Sequence, residues 1–322
     1  MKKILLPILA LVASTNTIMA VDDNTVEVSF NGTTATVSVA SNISSYITNQ
    51  SSGSHVKLVQ SADFQGNSTG EITYILSGTS TNGEFYLEGA YKCTVELQGL
   101  TLTNPSGPAL NIQNGKRVKV SAKSGTTSSL ADGANEEYNG CIHCKGHTEF
   151  KGKGTLNVIG NSRHAVYSKE YIEIKNLTLN ITSSVKDAIH CKEYFLMESG
   201  TVNINSAGED GVQVELANDP ETGIIADHED ENTGNFYMEG GTLTISSYTG
   251  KAVKADGELK ITGGKRSFSD NDMQAYAGIA DQWADADAVS YYDLNGLRIS
   301  QPKLRGIYIE RRGSKTFKRI MR

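Results

Sequence analysis

Two four-residue phrases set an imidazole, a thiol and an ammonium group side by side: Ile142-His143-Cys144-Lys145 and Ile189-His190-Cys191-Lys192. With Cys141 in front, the first reads Cys141-x-His143-Cys144, residue types that hold a soft metal when they converge. A second set is acidic. Asp187 stands two residues before Ile189 and Asp210 two before Val212, with Glu209 beside it and Asp227 in an acidic run downstream. Clustered carboxylates suit Ca2+, a hard cation that takes about six to eight oxygens. Lys186, next to Asp187, is the candidate base of a lyase reaction on a uronate held against such a cation, a role that requires a depressed lysine pKa.

The phrase is one member of a repeat, and the repeat positions all of these residues. Further copies are Leu110-Asn111-Ile112-Gln113, Val166-Tyr167-Ser168-Lys169, Val212-Gln213-Val214-Glu215 and Val253-Lys254-Ala255-Asp256. From 142 to 166 is 24 residues, and 166 to 189 and 189 to 212 are 23 each. A fixed period in this range marks a solenoid, whose units bury their apolar faces only by stacking on neighbours. Each unit holds three short β segments. In one they are 165–168, 171–174 and 177–181; in the next, 188–191, 194–197 and 201–204. Gly or Asn separates them, and helical periodicity is absent from the body. The fold class expected is all-β, a single-stranded parallel β-helix with coils of about 23 residues and three short strands each.

Strand alternation then divides the phrase. Ile142, Val166, Ile189, Val212 and Val253 point inward. Cys144, Ser168, Cys191, Val214 and Ala255 form a second inward column of small residues. Cys144 and Cys191 lie two rungs apart, about 9.6 Å at ~4.8 Å per rung, beyond the ~7 Å that a disulfide spans. His143 and Cys144 face opposite sides, which weakens the soft-metal reading. His143, Tyr167, His190, Gln213 and Lys254 form an outward strip, and Lys145, Lys169, Lys192, Glu215 and Asp256 a parallel one. Rings and cations spaced ~4.8 Å apart match the repeat of an extended sugar chain. Such a strip binds a polysaccharide, its cations favouring uronate carboxylates, or it is a solvated face kept soluble by its charges. Asp187 and Asp210 fall on consecutive rungs, where two carboxylates repel unless a cation lies between them or one is protonated. Either they hold Ca2+ or they cap turns by accepting backbone N–H groups.

The chain has 322 residues with 32 glycines and 5 prolines. Residues 1–20, with Lys2 and Lys3 ahead of an apolar run and Ala20 at its end, read as a secretory signal peptide. Residues 21–84 read as an N-terminal cap and first β turns, 85–269 as the β-helix, 270–288 as a linker and 289–322 as a short C-terminal β module. An insertion of about 18 residues, 217–234, interrupts the repeat between Val212 and Val253, and insertions map to loops on one face of a solenoid. The net charge of −6 is uneven: the tail from Arg298 carries nine Lys/Arg and one Glu, leaving −16 on residues 21–297. An acidic body argues against nucleic acid as partner, and no segment is long enough to span a membrane. The protein is expected to be secreted or on the cell surface.

The run from Thr73 to Gly264 resembles the secreted carbohydrate-binding β-helix proteins, whose fold is pectate-lyase-like. The residues that carry the resemblance are Tyr74-Ile75-Leu76-Ser77-Gly78, Val95-Glu96-Leu97-Gln98-Gly99-Leu100, Gly107-Pro108-Ala109-Leu110, Asp187-Ala188-Ile189 and Glu209-Asp210-Gly211-Val212. It implies a right-handed parallel β-helix that binds an acidic polysaccharide such as polygalacturonate with Ca2+ and without demonstrated catalysis. His164 and Lys251 stand where that family has Asp, which leaves Asp187 and Asp210 as one pair. The alternatives are a Ca2+-dependent polysaccharide lyase and a structural or adhesive surface solenoid. The tail, Tyr292-Asp293-Leu294-Asn295-Gly296 through Gly306-Ile307-Tyr308-Ile309 and Lys318-Arg319, is similar to the C-terminal sorting modules of secreted Bacteroidota proteins. That resemblance implies a partner in the outer-membrane secretion machinery; a basic hairpin packed on the end of the solenoid is the other reading.

Overall fold

The computed structural model describes residues 21–134, 137–217, 232–275, 289–292, 298–299, 306–312 and 315–321. The proposed signal peptide, Asp227 and most of the proposed linker fall outside them.

Alternating apolar residues in short segments bounded by turns give strands that bury one side each. The strands stack in parallel on three faces. The first face runs His55–Gln60, Glu84–Gly89, Leu110–Asn114, Gly140–Cys144, His164–Ser168, Ile189–Lys192, Val212–Glu215, Val253–Ala255 and Met273–Ala275, each hydrogen-bonded to the next. The second runs from Ile72–Ser80 through Cys93–Leu97, Val118–Ala122, Thr148–Gly152, Ile172–Ile174, Tyr194–Met197 and Asn235–Met238 to Leu259–Ile261. The third runs from Thr101–Thr103 through Thr127–Ala131, Thr155–Gly160, Thr178–Ser184, Thr201–Ile204 and Thr242–Ile245 to Lys265–Arg266. The molecule is all-β, and its large sheets are built mainly from parallel pairs one repeat apart. On the first face parallel stacking begins with His55–Gln60, and Met273–Ala275 adds a rung beyond Ser269. At the N-terminal end Thr25–Asn31 pairs antiparallel with Thr34–Val39 and parallel with Ile72–Ser80. Near the C-terminus Val289–Tyr292, Arg298–Ile299, Gly306–Arg312 and Lys315–Met321 form a separate antiparallel sheet.

The core is a set of ladders. Ile142, Val166, Ile189, Val212 and Val253 are buried in register, and so is the small-residue column Cys144, Ser168, Cys191, Val214 and Ala255. The one hydroxyl in that column is satisfied: Ser168 Oγ donates to the Gly146 carbonyl at 2.9 Å. On the second face Phe195 and Phe236 lie on consecutive rungs with centroids 5.1 Å apart and planes within 3°. On the third face Asn157, Asn180 and Asn203 form an amide ladder, Asn203 Nδ2 donating to Asn180 Oδ1 and Asn180 Nδ2 to Asn157 Oδ1, each at 2.9 Å. The turn from second to third face is tight at Gly152, where φ is +104° and a Cβ would overlap the Ala122 carbonyl.

All four cysteines are buried and free. Burial pushes the Cys93 and Cys144 thiols up to about 12 and raises Cys141 and Cys191 as well. Thiols held protonated and enclosed do not react. A thiol reagent is therefore expected to titrate no cysteine in the native protein and four after unfolding; a fast-reacting native thiol would contradict this packing.

Asp132 ends the strand Thr127–Ala131. Its Oδ1 accepts the Asn161 N–H, but its buried Oδ2 has no hydrogen-bond partner. Burial pushes this carboxyl up to about 6, against the backbone N–H groups that lower it. A raised acid pKa means that the folded state binds more protons than the unfolded state between the two pKa values. The stability it contributes is present below about pH 4 and lost as pH rises through about 6. Asp132→Asn is expected to melt above the wild type at pH 7 and level with it at pH 4; the reverse order would contradict the assignment.

Candidate functional site: a ring and carboxylate strip on the first face

Register places one outward side chain per rung along the first face: Lys57, Tyr86, Asn111, His143, Tyr167, His190, Gln213, Lys254 and Gln274. The strip expected from the repeat is thus present and extends over nine rungs. Its middle is more enclosed than a solvated face. His143 stacks on Tyr167 at 5.1 Å and 13°, and Tyr167 on His190 at 5.4 Å and 24°. Tyr138 closes over His143 edge-on at 5.2 Å. Each ring covers its neighbour's face, so Tyr167 and His190 are buried, and Asn111 on the rung before His143 is buried too. His143 Nδ1 accepts the Asn139 N–H, and burial pushes this imidazole down to about 4, leaving it neutral near pH 7. The permanent cations of the strip are its lysines. Lys57 lies 5.0 Å from the centre of the Tyr86 ring, and Lys254 Nζ lies 3.4 Å from Asp210 Oδ2. In the neighbouring column Lys169 is exposed, Lys145 and Lys192 are half-buried, and Lys192 Nζ sits 3.9 Å from Glu215.

The column just before the phrase holds Gly140, His164, Asp187, Asp210 and Lys251. Asp187 is its hub and is 1 % exposed. Its Oδ1 accepts the Asp210 N–H at 2.9 Å, while its Oδ2 faces His190 Nδ1 at 2.9 Å and His164 Nδ1 at 3.3 Å. Asp210 repeats the pattern one rung on, its Oδ1 accepting the Lys251 N–H at 2.6 Å. The two carboxylates therefore coexist by capping the next turn, with imidazoles facing Asp187 and the Lys254 ammonium facing Asp210. Glu209 is exposed, with Lys186 Nζ 4.0 Å from it, so neither joins the hub. The set fits Ca2+ poorly: two of the three converging donors are imidazole nitrogens, and both aspartates already commit one oxygen to backbone N–H groups.

His190 bridges two carboxylates, since its Nε2 lies 3.4 Å from Glu215 Oε2. Burial alone would lower its pKa, but Asp187 and Glu215 together outweigh burial and raise it. Glu215 is lowered in return, first by His190. His164 goes the other way, down to about 3, through burial and then the neighbouring His190, whose ring centre is 4.5 Å away.

A second cluster went unseen in the sequence. In the turn from first to second face, His147 Nδ1 lies 3.1 Å from Glu170 and its Nε2 3.2 Å from Glu193, all three buried. Tyr171 stacks on His147 at 4.4 Å and Tyr194 on Tyr171 at 4.7 Å. The signal available was the 23-residue step from Glu170 to Glu193, which put both carboxylates in one turn column.

Comparison with known proteins agrees with this architecture. No curated protein matches the sequence. Among solved structures, a polysaccharide lyase-like protein from C. thermocellum, determined as a gadolinium derivative, superposes with a TM-score of 0.56 at 18% identity. The match covers 78% of this chain and 99% of that one, a likeness of fold. A family model described as carbohydrate-binding domain-containing protein matches residues 65–296, which takes in every rung from Glu84–Gly89 to Met273–Ala275. The chain therefore belongs to the family of carbohydrate-binding domain-containing proteins.

Proposed function

We propose that the protein binds an extracellular, acidic polysaccharide without cleaving it, along the first face of a right-handed single-stranded parallel β-helix with coils of about 23 residues. The observation that carries the reading is the nine-rung strip of rings, amides and lysines, one side chain per rung. Rungs repeat at about 4.8 Å, so successive sugars of an extended chain meet equivalent groups. Lys145, Lys169 and Lys192 lie along one side and supply charge for uronate carboxylates, within a body whose overall charge is acidic. Membership in a carbohydrate-binding family supports the ligand class. Ca2+ assistance is an added route, bridging sugar carboxylates to the exposed acidic groups. Secretion through the N-terminal segment, and sorting through the C-terminal module, fit a ligand found outside the cell. Among the described residues no helix is long and apolar enough to cross a membrane.

The lyase reading needs a base facing a cation. Lys186 is partly exposed and lies beside Glu209, outside the enclosed hub. One experiment separates the readings. Purified protein is incubated with polygalacturonate and with cellulose, with and without chelator, and both retention and ultraviolet-absorbing unsaturated product are scored. Retention on polygalacturonate with no product is expected. Accumulating product would establish a lyase, and no retention on any glycan would favour an adhesive solenoid.

A further inference from the structure

We propose that His164, Asp187 and His190 form a binding site for a divalent transition-metal cation of the Zn2+ class. One donor atom from each lies within 4.8 Å of the other two, and both Nδ1 atoms face Asp187 Oδ2. Bonds of about 2.0–2.1 Å in a tetrahedral shell put neighbouring ligand atoms roughly 3.3 Å apart. The two edges meeting at Asp187 Oδ2 measure 2.9 Å and 3.3 Å. Three protein donors leave a fourth position for water or a ligand atom, the arrangement of an open site.

A second observation points the same way. Two imidazole nitrogens converge on one carboxylate oxygen, and His164 Nδ1 is buried without a hydrogen-bond partner. A cation among the three donors gives that nitrogen a partner and removes the competition for a single acceptor. The outer groups are also those of a metal site. Glu215 faces the other nitrogen of His190 at 3.4 Å, and the Asp210 N–H fixes the other oxygen of Asp187 at 2.9 Å. Carboxylates behind ligating histidines set the ring orientation and tautomer. A nitrogen-rich set selects Zn2+ and its neighbours over Ca2+. The His147 cluster differs: it offers a single imidazole, its Nδ1 facing Glu170 and its Nε2 Glu193, against two carboxylates. The site does not depend on the sugar-binding reading, because the metal alone is the probe.

The full chain, stripped with chelator, is titrated with Zn2+ by calorimetry, with Ca2+ in excess as competitor. Co2+ is added separately to report the ligand field by its visible absorption. One saturable Zn2+ site indifferent to Ca2+ is expected. His164→Asn and His190→Gln should each weaken it by at least about 100-fold, and Glu215→Gln by about 10–100-fold. Circular dichroism checks that each variant is folded; if the histidine variants unfold, Glu215→Gln and its Co2+ spectrum carry the test. The proposal is overturned if the wild type shows no saturable Zn2+ binding. Unchanged affinity in folded His190→Gln, unchanged affinity in Glu215→Gln, or loss only in His147→Asn overturns it equally.

Discussion

Asp187→Ala should lower the unfolding free energy of the body by about 3–5 kcal/mol, the range for removing one partner of a buried ion pair. The side chain is nearly inaccessible and each oxygen is used: Oδ1 accepts the Asp210 N–H and Oδ2 faces His190 and His164. Alanine leaves a buried N–H without its acceptor and removes the anion that favours a charged His190. Asp187→Asn keeps an acceptor for the Asp210 N–H and loses the charge, so it should fall between alanine and wild type. Each rung contacts only its neighbours, so the loss spreads through rungs 164 and 210 and not to the ends. Urea unfolding followed by circular dichroism measures it. A cost below about 1 kcal/mol for the alanine variant would mean that the network is no more than a surface ion pair.

Phe195→Ala should cost about 3–5 kcal/mol as well, by a different route. The ring is fully buried, stacked 5.1 Å from Phe236 on one rung and in register with Ile172 on the other. Rung spacing is set by continuous backbone ladders above and below, so the walls of the void cannot close in. Transfer and cavity terms then add in full. Phe195→Leu refills most of the volume and should recover more than half of the loss. Thermal melts of the two variants test this; equal melting points would show that the stack relaxes around the gap.

Much of the fold was legible because the repeat fixes register. Once Ile142, Val166 and Ile189 are aligned, strand alternation puts Cys144 and Cys191 inside and His143, Tyr167 and His190 outside, and the observed pairing has that register. The small-residue column follows from the same alignment, and so does the two-rung separation that keeps Cys144 and Cys191 from bridging. What alternation does not give is depth. His143, Tyr167 and His190 face outward yet cover one another, because stacked rings on adjacent rungs exclude water from each other's faces. Nor does it give side-chain direction near strand ends. Asp187 reads from sequence as a cation ligand or a turn cap, and it caps the next rung while facing two histidines that lie 23 residues before it and 3 after it. Glu170 and Glu193 lie in turns, where strand alternation carries no information, although their spacing is one repeat.

The central claim is that the first face is the glycan-binding surface. Affinity electrophoresis through gels containing polygalacturonate tests it, comparing wild type, the triple variant Lys145→Ala/Lys169→Ala/Lys192→Ala, and Thr178→Ala on the third face. The expected result is equal retardation of wild type and Thr178→Ala, with the triple variant weakened at least about tenfold, the equivalent of ~1.4 kcal/mol. Undiminished retardation of the folded triple variant, or loss confined to Thr178→Ala, would contradict the account and move the binding surface off the first face.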